Sequence, residues 1–575
     1  MAAVIVVPAR RIAFCGRTLA SLSYFHNPGR EPLLPWTLGQ VVDRTADVKG
    51  DNAAVVSRHQ NITKTYTQLR DDVNQFAAGL VSLKLAVGSK IGMLAPNLYE
   101  WVVVQFAAAK AGLVLVNVNT AYQELELEFC LNHRALEAEL LHIFIKAYEV
   151  GFIAVFTCYA GALSGWPQQT LSKIQRHLVA QISVLKGYGN EIGTVTFDDL
   201  MKSATSADHA SLRSISSRLQ FDATVNVQFT SGTTGQPKAA QLSHFNVVNN
   251  ANLNGRLFGL HEHSESICLN VPMLHCYGCV CGSLAAAIFG STIVMPAPSF
   301  KAKAALEAIV EQRCSIDKRA SETTNPCLLS REKVIHKIVK TAVMAGAPCP
   351  QELVKNAKKT LNVQKFYVMY GSTEASPIIT CTNPYEPMEQ WIETVGTPLN
   401  HTEVKIVDSQ GRIVPTNQSG ELCVRGYLVS KGYLKQDDKT REVVRDNWYH
   451  TGDEATMSED GRITIRGRLK DLIIRGGDNV YPQEIEHFLY THPDVLEVQV
   501  VGVPDPRFGE EVCAWIKLKS GKKLSHDEVV NFCKGKISHY KIPRYVLLVD
   551  SFPKTVSGKI QKHKMRVESV KILKL

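Results

Sequence analysis

From about residue 65 onward the chain alternates between two spacings of its apolar residues. Leu69, Val73, Phe76 and Leu80 recur four, three and four apart. That spacing lays one apolar stripe along a helix, which Gly88 is expected to end. Ile91-Gly92-Met93-Leu94, followed by Pro96-Asn97, reads as a short buried strand and a turn. A second helix from Trp101 to Ala111 leads into Leu113-Val114-Leu115-Val116, and Val225–Phe229 is a further β-rich run. Helices alternating with buried strands predict βαβ units and a largely parallel sheet.

The last hundred residues follow a different plan. Tyr481-Pro482 opens a helix with Ile485, Phe488 and Leu489 on one side, proline suiting the first helical turn. Val498–Val503 and Val512–Leu518 read as strands around a Pro/Asp/Gly-rich turn, and a helix near Asp527–Cys533 completes a small α+β module. The polar run Gly467-Arg468-Leu469-Lys470-Asp471 marks the boundary. The expected fold class is therefore α/β: a large N-terminal lobe, residues 31–470, of βαβ-type sheets with helices, and a small mobile α+β lobe, residues 471–575.

Composition adds exclusions. Of 575 residues 45% are apolar and 21% charged, an ordinary globular balance that excludes collagen-like or disordered chains. The formal charge of +10 is small for this length, so it suits anionic small molecules at least as well as nucleic acid, and with no long Lys/Arg run no nucleic-acid partner is expected. No apolar run reaches the length of an integral membrane span. The 14 cysteines form no repeating framework, which fits a reducing compartment. His275-Cys276-x-x-Cys279-x-Cys281 reads either as soft-metal thiols or as a buried loop in which cysteine is a small hydrophobe. Residues 1–30 carry Arg10, Arg11, Arg17 and Arg30, with no carboxylate before Glu31. That is the composition of a mitochondrial transit peptide, and it places the protein in the mitochondrial matrix; an untidy N-terminus is the bland alternative.

The strongest chemical signal is Thr230-Ser231-Gly232-Thr233-Thr234-Gly235-Gln236-Pro237-Lys238, directly after a strand. Two glycines let backbone N–H groups approach an anion, four hydroxyls add donors, and Lys238 adds charge. The lysine does not follow the second glycine directly, so this is not a Walker A loop. The segment resembles the phosphate loop of the adenylate-forming (AMP-binding) family. Further motifs follow in that family's order: Ala345-Gly346-Ala347-Pro348, Tyr370-Gly371-Ser372-Thr373-Glu374, Gly420–Gly426, Tyr449-His450-Thr451-Gly452-Asp453, Gly467–Asp471 and Pro553-Lys554-Thr555-Val556-Ser557-Gly558-Lys559. Within the family the chain is most similar to mitochondrial medium-chain acyl-CoA ligases.

The resemblance implies a two-step reaction. A fatty carboxylate attacks the α-phosphate of ATP, giving an acyl-adenylate and pyrophosphate; coenzyme A then displaces AMP. Lys238 and the loop would hold the outer phosphates, Gly346 and Tyr370 the adenine, and Thr373 the α-phosphate. Glu374 would bind Mg²⁺, a hard cation that prefers oxygen. Asp453 would accept from the ribose hydroxyls, with Arg468 on the other side. Lys559 would stabilise the charge that builds between carboxylate and phosphate. Lys470 would be the hinge of a lobe rotation, Gly476 and Gly477 a loop on the coenzyme A side, and His275 either a neighbour of the acyl pocket or a structural residue. Luciferase-like and carrier-loading enzymes share the first step.

Three departures from the family pattern stand out. Ala239 replaces the usual glycine after Lys238, and its methyl would crowd a positive-φ position. Residues 129–183 do not read like the family. Residues 314–340 are polar and lack an expected strand and Tyr-Gly-x-Pro motif, and that loss could leave a nucleotide-binding relative with impaired catalysis.

Overall fold

The structure, a computed structural model, describes residues 21–93, 95–119, 153–155, 197–230, 238–320, 338–346, 349–476, 478–554 and 560–575, the backbone alone at 153–155 and 318–320. Strands and helices are labelled in chain order as they are introduced.

The first sheet has five strands. β1 (Lys90–Met93), β2 (Val114–Asn117) and β3 (Thr224–Thr230) run parallel, with Ile153–Val155 on the outer edge of β1. β4 (Lys238–Ser243) closes the other edge antiparallel to β3. Helix α1 (Tyr66–Ser82) starts from a capping box in which the Thr65 hydroxyl accepts from the Gln68 N–H and the Gln68 side chain returns to the Thr65 N–H. It presents Leu69, Val73, Phe76 and Leu80 to the core as predicted. It stops at Ser82 rather than at Gly88, because Lys84 takes a left-handed φ of 55° and turns the chain earlier. In α2 (Tyr99–Lys110) every residue but Glu100 is buried. Even Lys110 is enclosed, its ammonium held by Asp43 at 2.5 Å and Asn74 at 2.6 Å.

The second sheet has nine strands, six of them parallel from Ala53–Ser57 to Lys365–Gly371. Its centre contains β5 (Ser266–Leu269), β6 (Ile316–Ala320), β7 (Thr341–Ala345) and β8 (Lys365–Gly371). β6 corrects the expectation that residues 314–340 lack a strand. Ile316-Asp317-Lys318-Arg319-Ala320 carries no apolar run, yet it is paired on both sides, with β5 and with β7. Pairing on both sides overrides local propensity, and the buried Asp317 carboxylate is satisfied by the Asn270 amide at 2.8 Å. The rest of 129–183, and residues 321–337, lie outside the described residues. One apolar cluster joins both parallel sheets to the helices packed against them.

The third sheet departs from the βαβ plan. It is antiparallel and contains β9 (Gly420–Gly426), β10 (Trp448–Met457) and β11 (Ile463–Arg468). After the single turn Leu469–Asp471 the chain enters a fourth sheet of five strands at Ile473. That sheet is built on the hairpin of β12 (Val495–Asp505) and β13 (Gly509–Leu518). Both strands outrun their predicted bounds because the turn is tight: Asp505 Oδ1 accepts from the N–H groups of Arg507 and Phe508, and Gly509 takes φ 79°. The helices α3 (Pro482–Leu489), α4 (His526–Cys533) and α5 (Lys562–Leu573) belong to the same α+β part of the chain.

Candidate active site

The motif residues gather where parallel strands end, the usual place for a ligand crevice in an α/β sheet. β3 ends at Thr230 and β4 begins at Lys238, and the two are register partners. The residues between them, Ser231, Gly232, Thr233, Thr234, Gly235, Gln236 and Pro237, lie outside the described residues, as do Ala347 and Pro348. Ala239 sits in β4 opposite Phe229 and is absent from the positive-φ residues, so its methyl is buried without strain. The expected crowding does not arise. Gly346, at the end of β7, has φ 90° and open space where a side chain would start. Backbone conformation, not room, selects glycine there.

Glu374 follows the end of β8. Its Oε1 accepts from the Tyr433 hydroxyl at 2.8 Å and from the Thr230 hydroxyl at 3.5 Å. Lys238 Nζ lies 5.1 Å above the Tyr433 ring, so a cation, a carboxylate and two hydroxyls meet where β3 ends and β4 begins. Oxygen donors with a carboxylate among them are the chemistry a hard divalent cation accepts, so these residues fit Mg²⁺. Thr373 begins a short 3₁₀ turn and lies against the Cys276 thiol. Tyr433 had no sequence signal of its own; only its position under Lys238 reveals it.

A second group faces it. Tyr370, in β8, donates its hydroxyl to Asp453 Oδ2 at 2.5 Å, and Arg468 Nε reaches Asp453 Oδ1 at 2.7 Å. Asp453 and Arg468 are register partners across β10 and β11. Burial pushes the Asp453 carboxyl above its ordinary value, against the pull of Arg468 and the Tyr370 hydroxyl. Burial also pushes the Tyr370 hydroxyl well up, with the charge of Asp453 adding to it. Arg468 moves up as well: desolvation is the largest influence and opposes its charge, but Asp453, Tyr370, Tyr449 and Glu374 together outweigh it. The pair therefore offers fixed acceptors on a buried carboxylate, with the half-exposed Arg468 guanidinium held against it. Tyr449 hydrogen-bonds Ser372 at 3.2 Å and completes the aromatic side of the group.

Lys470 follows one turn later. The protein packed around its stem pushes its ammonium down to about 8, although the side chain reaches solvent. Asp471 and Asp453 favour its charge, whereas Arg468 and Lys238 oppose it. Gly476 has φ 60° and donates its N–H to the Phe508 carbonyl at 2.7 Å; Gly477 lies outside the described residues. Lys559 does too, but its flanks are held, Lys554 bridging Ile560 and the Gln561 N–H donating to the Pro553 carbonyl at 2.8 Å. His275 caps the turn Cys276–Gly278, its carbonyl accepting from the N–H groups of Gly278 and Cys279. Cys276, Cys279 and Cys281 are buried small side chains, as the second reading had it. The Cys276 thiol donates to Gln228 Oε1 at 2.9 Å, and the same amide's Nε2 reaches Cys279 Sγ at 3.2 Å. Burial pushes the Cys279 thiol up to about 12. Among the described residues this loop therefore shows no metal-ligand group.

The AMP-binding enzyme family model matches residues 42–434, and the AMP-binding enzyme C-terminal domain model matches residues 484–559. The chain belongs to the AMP-binding enzyme family. It is an AMP-forming ligase by that membership. It is similar to the mitochondrial medium-chain acyl-CoA ligase ACSF2 of zebrafish (Danio rerio), at 40% identity over 96% of this chain and 91% of that protein. YngI of Bacillus subtilis (strain 168), an acyl-CoA synthetase by name, is 40% identical over 94% of this chain and 99% of that one. Among solved structures, O-succinylbenzoate coenzyme A synthetase (MenE) of Bacillus subtilis with ATP and magnesium shares the fold. Its TM-score is 0.74 at 24% identity, over 91% of this chain and 98% of that one. Among the described residues of the ligase, no helix is long and apolar enough to cross a membrane.

Proposed function

We propose that this ligase joins a medium-chain fatty acid to coenzyme A in two steps through an acyl-adenylate, consuming ATP and releasing AMP and pyrophosphate. The observation that carries the reading is the convergence of two groups. Thr230 and Lys238, the described residues on either side of 231–237 in sequence, meet Glu374 and Tyr433. Arg468 of the Tyr370–Asp453–Arg468 group stands near enough to feel the charge of Glu374. The first group suits phosphates and the second a ribose. Bringing a carboxylate to a phosphate sets two anions together, so the site must supply cations and N–H donors.

On this reading Lys238 and the 231–237 amides hold the outer phosphates, and Thr373 meets the α-phosphate. Glu374, with its hydroxyl neighbours, would hold Mg²⁺, which supplies positive charge to the phosphate oxygens when bound. Tyr370 packs on adenine beside Gly346, and Asp453 accepts from both ribose hydroxyls while Arg468 holds ribose and phosphate. Lys559 serves adenylation. Residues 31–470 and 471–575 act as two lobes that turn about Lys470, bringing Gly476 and Gly477 to the coenzyme A side, and His275 borders the acyl pocket. The strand β6 supports an active ligase, since residues 316–320 keep their place in the sheet.

Medium-chain preference and the mitochondrial matrix are supported by the ACSF2 relatives and by the basic residues 1–30. The equally similar bacterial relative leaves the address to be measured. Pyrophosphate release across acids from butyrate to palmitate, with and without coenzyme A, tests the reaction. The expected result is release with medium chains and a coenzyme A thioester as product. ATP binding without release would instead identify an impaired relative. An oxygen-dependent product, or transfer only to a carrier protein, would point to the other branches. A reporter fused to residues 1–30 tests the address.

A further inference from the structure

β9 and β10 do not pair in simple register. Glu421 lies opposite Glu454 and Cys423 opposite His450, so two steps along β9 span four along β10. The extra length is a bulge made of Thr451, Gly452 and Asp453, which takes Asp453 out of the β9–β10 pairing while it stays paired with Arg468 of β11. A bulge strands backbone N–H groups that the ladder would have satisfied. Two side chains take them. Glu421 Oε1 accepts from the Gly452 N–H at 3.1 Å, and its Oε2 lies 2.7 Å from His450 Nδ1. The Thr451 hydroxyl accepts from the Asp453 N–H at 3.1 Å and donates to the Leu422 carbonyl at 2.8 Å. Gly452 takes φ 69° in the middle of the bulge.

We propose that Glu421 and Thr451 are positioning residues that hold this bulge and so fix Asp453 for the nucleotide. The inference rests on the reading of Asp453 as the ribose acceptor. Glu421 touches neither Tyr370 nor Arg468 in the bonds described above, whereas Thr451 also meets Tyr370 through its hydroxyl and accepts from Arg468 through its carbonyl at 3.2 Å. Both residues hold the backbone N–H groups just before the Asp453 Cα. Glu421 is itself restrained. Arg445, 3.5 Å away, sets a positive charge beside Oε2, His450 Nδ1 lies against the same oxygen, and Gly452 fixes the other. With Cys423 the Glu421–His450 pair places three donor atoms within 4.8 Å of one another, a spacing a metal could use. Arg445 Nη2 stands 2.8 Å from His450 Nδ1, however, and already brings the positive charge to that corner. The corner therefore serves geometry rather than metal binding.

The test compares ATP with 2′,3′-dideoxy-ATP in the adenylation assay of the full chain, reading the ratio of their kcat/KM values. That ratio measures hydrogen bonds to the ribose hydroxyls and is independent of the fraction of active protein. Asp453→Ala sets the value for a lost acceptor. Glu421→Ala is expected to raise KM for ATP about tenfold and to bring the ratio most of the way to the Asp453→Ala value. Glu421→Gln, which keeps an acceptor for the Gly452 N–H, should restore the ratio to within about threefold of wild type. If Glu421→Ala does not fold, Thr451→Val is read by the same ratio, with the same expectation of a fall. Equal losses for both nucleotides, with the ratio unchanged, overturn the positioning role. An unchanged ratio in Asp453→Ala itself overturns the ribose assignment and the proposal with it.

Discussion

Tyr370 and Asp453 come from different sheets, the nine-stranded mixed one and the antiparallel one, and meet as a hydroxyl 2.5 Å from a carboxylate. The contact makes one site out of two layers. Asp453 is braced from both sides, by Tyr370 through Oδ2 and by Arg468 through Oδ1.

Tyr370→Phe keeps the ring and removes the donor. KM for ATP is expected to rise roughly fivefold, the value of about 1 kcal/mol for one hydrogen bond. Tyr370→Ala, which also removes the ring, should cost clearly more. ATP titrations of pyrophosphate release on both variants check the order; equal effects would count against a role for the hydroxyl.

Glu374→Gln leaves an acceptor for Tyr433 and Thr230 but removes the charge. Half-saturation by Mg²⁺ should rise by about tenfold or more at fixed ATP, while tight-binding inhibition by an acyl-adenylate analogue changes little. A magnesium titration of initial rates decides it.

Lys559→Ala should slow adenylation by about 10²–10³, the usual loss for one donor to developing charge. Thioester formation from a supplied acyl-adenylate should survive. Equal loss of both half-reactions, measured separately by quench flow, would remove Lys559 from its assigned role.

Lys470 gives two expectations. Proline there fixes φ at the proposed hinge, so Lys470→Pro should keep adenylation and lose thioester formation. Its folded pKa of about 8 lies below the ordinary lysine value of roughly 10.4. Between those values the unfolded chain binds more protons than the folded one, so stability rises with pH across that window and the destabilisation is full below it. Lys470→Gln should flatten the corresponding rise in melting temperature.

Asp317→Ala tests the polar strand. It leaves the buried Asn270 amide without its 2.8 Å acceptor, and a loss of about 1–3 kcal/mol in unfolding free energy is expected. A change below about 0.5 kcal/mol in urea melts would mean the pair adds nothing to the sheet.

The parts of this molecule that were legible in its sequence are those in which local pattern and tertiary setting agree. The stripe Leu69–Leu80 and the run Val225–Phe229 are such cases, each becoming an element close to its predicted bounds. β6 was hidden because its partners, not its side chains, make it a strand. Gly88 misled because a left-handed Lys84 ends the helix first. In the candidate site, motif spacing pointed to Glu374, Asp453 and Arg468. It could not point to Tyr433 or Glu421, whose parts depend on contacts across 59 residues and across a bulged ladder.

The bridge between Lys554 and Ile560, with Gln561 tied back to Pro553, has a mechanical result. Ile560 packs against the interior cluster of the C-terminal α+β part that holds Met565 and Trp515. If Lys559 serves adenylation as proposed, the position of that whole α+β part would time its access to the reacting groups, and a change at the proposed hinge Lys470 would reset the timing from a distance.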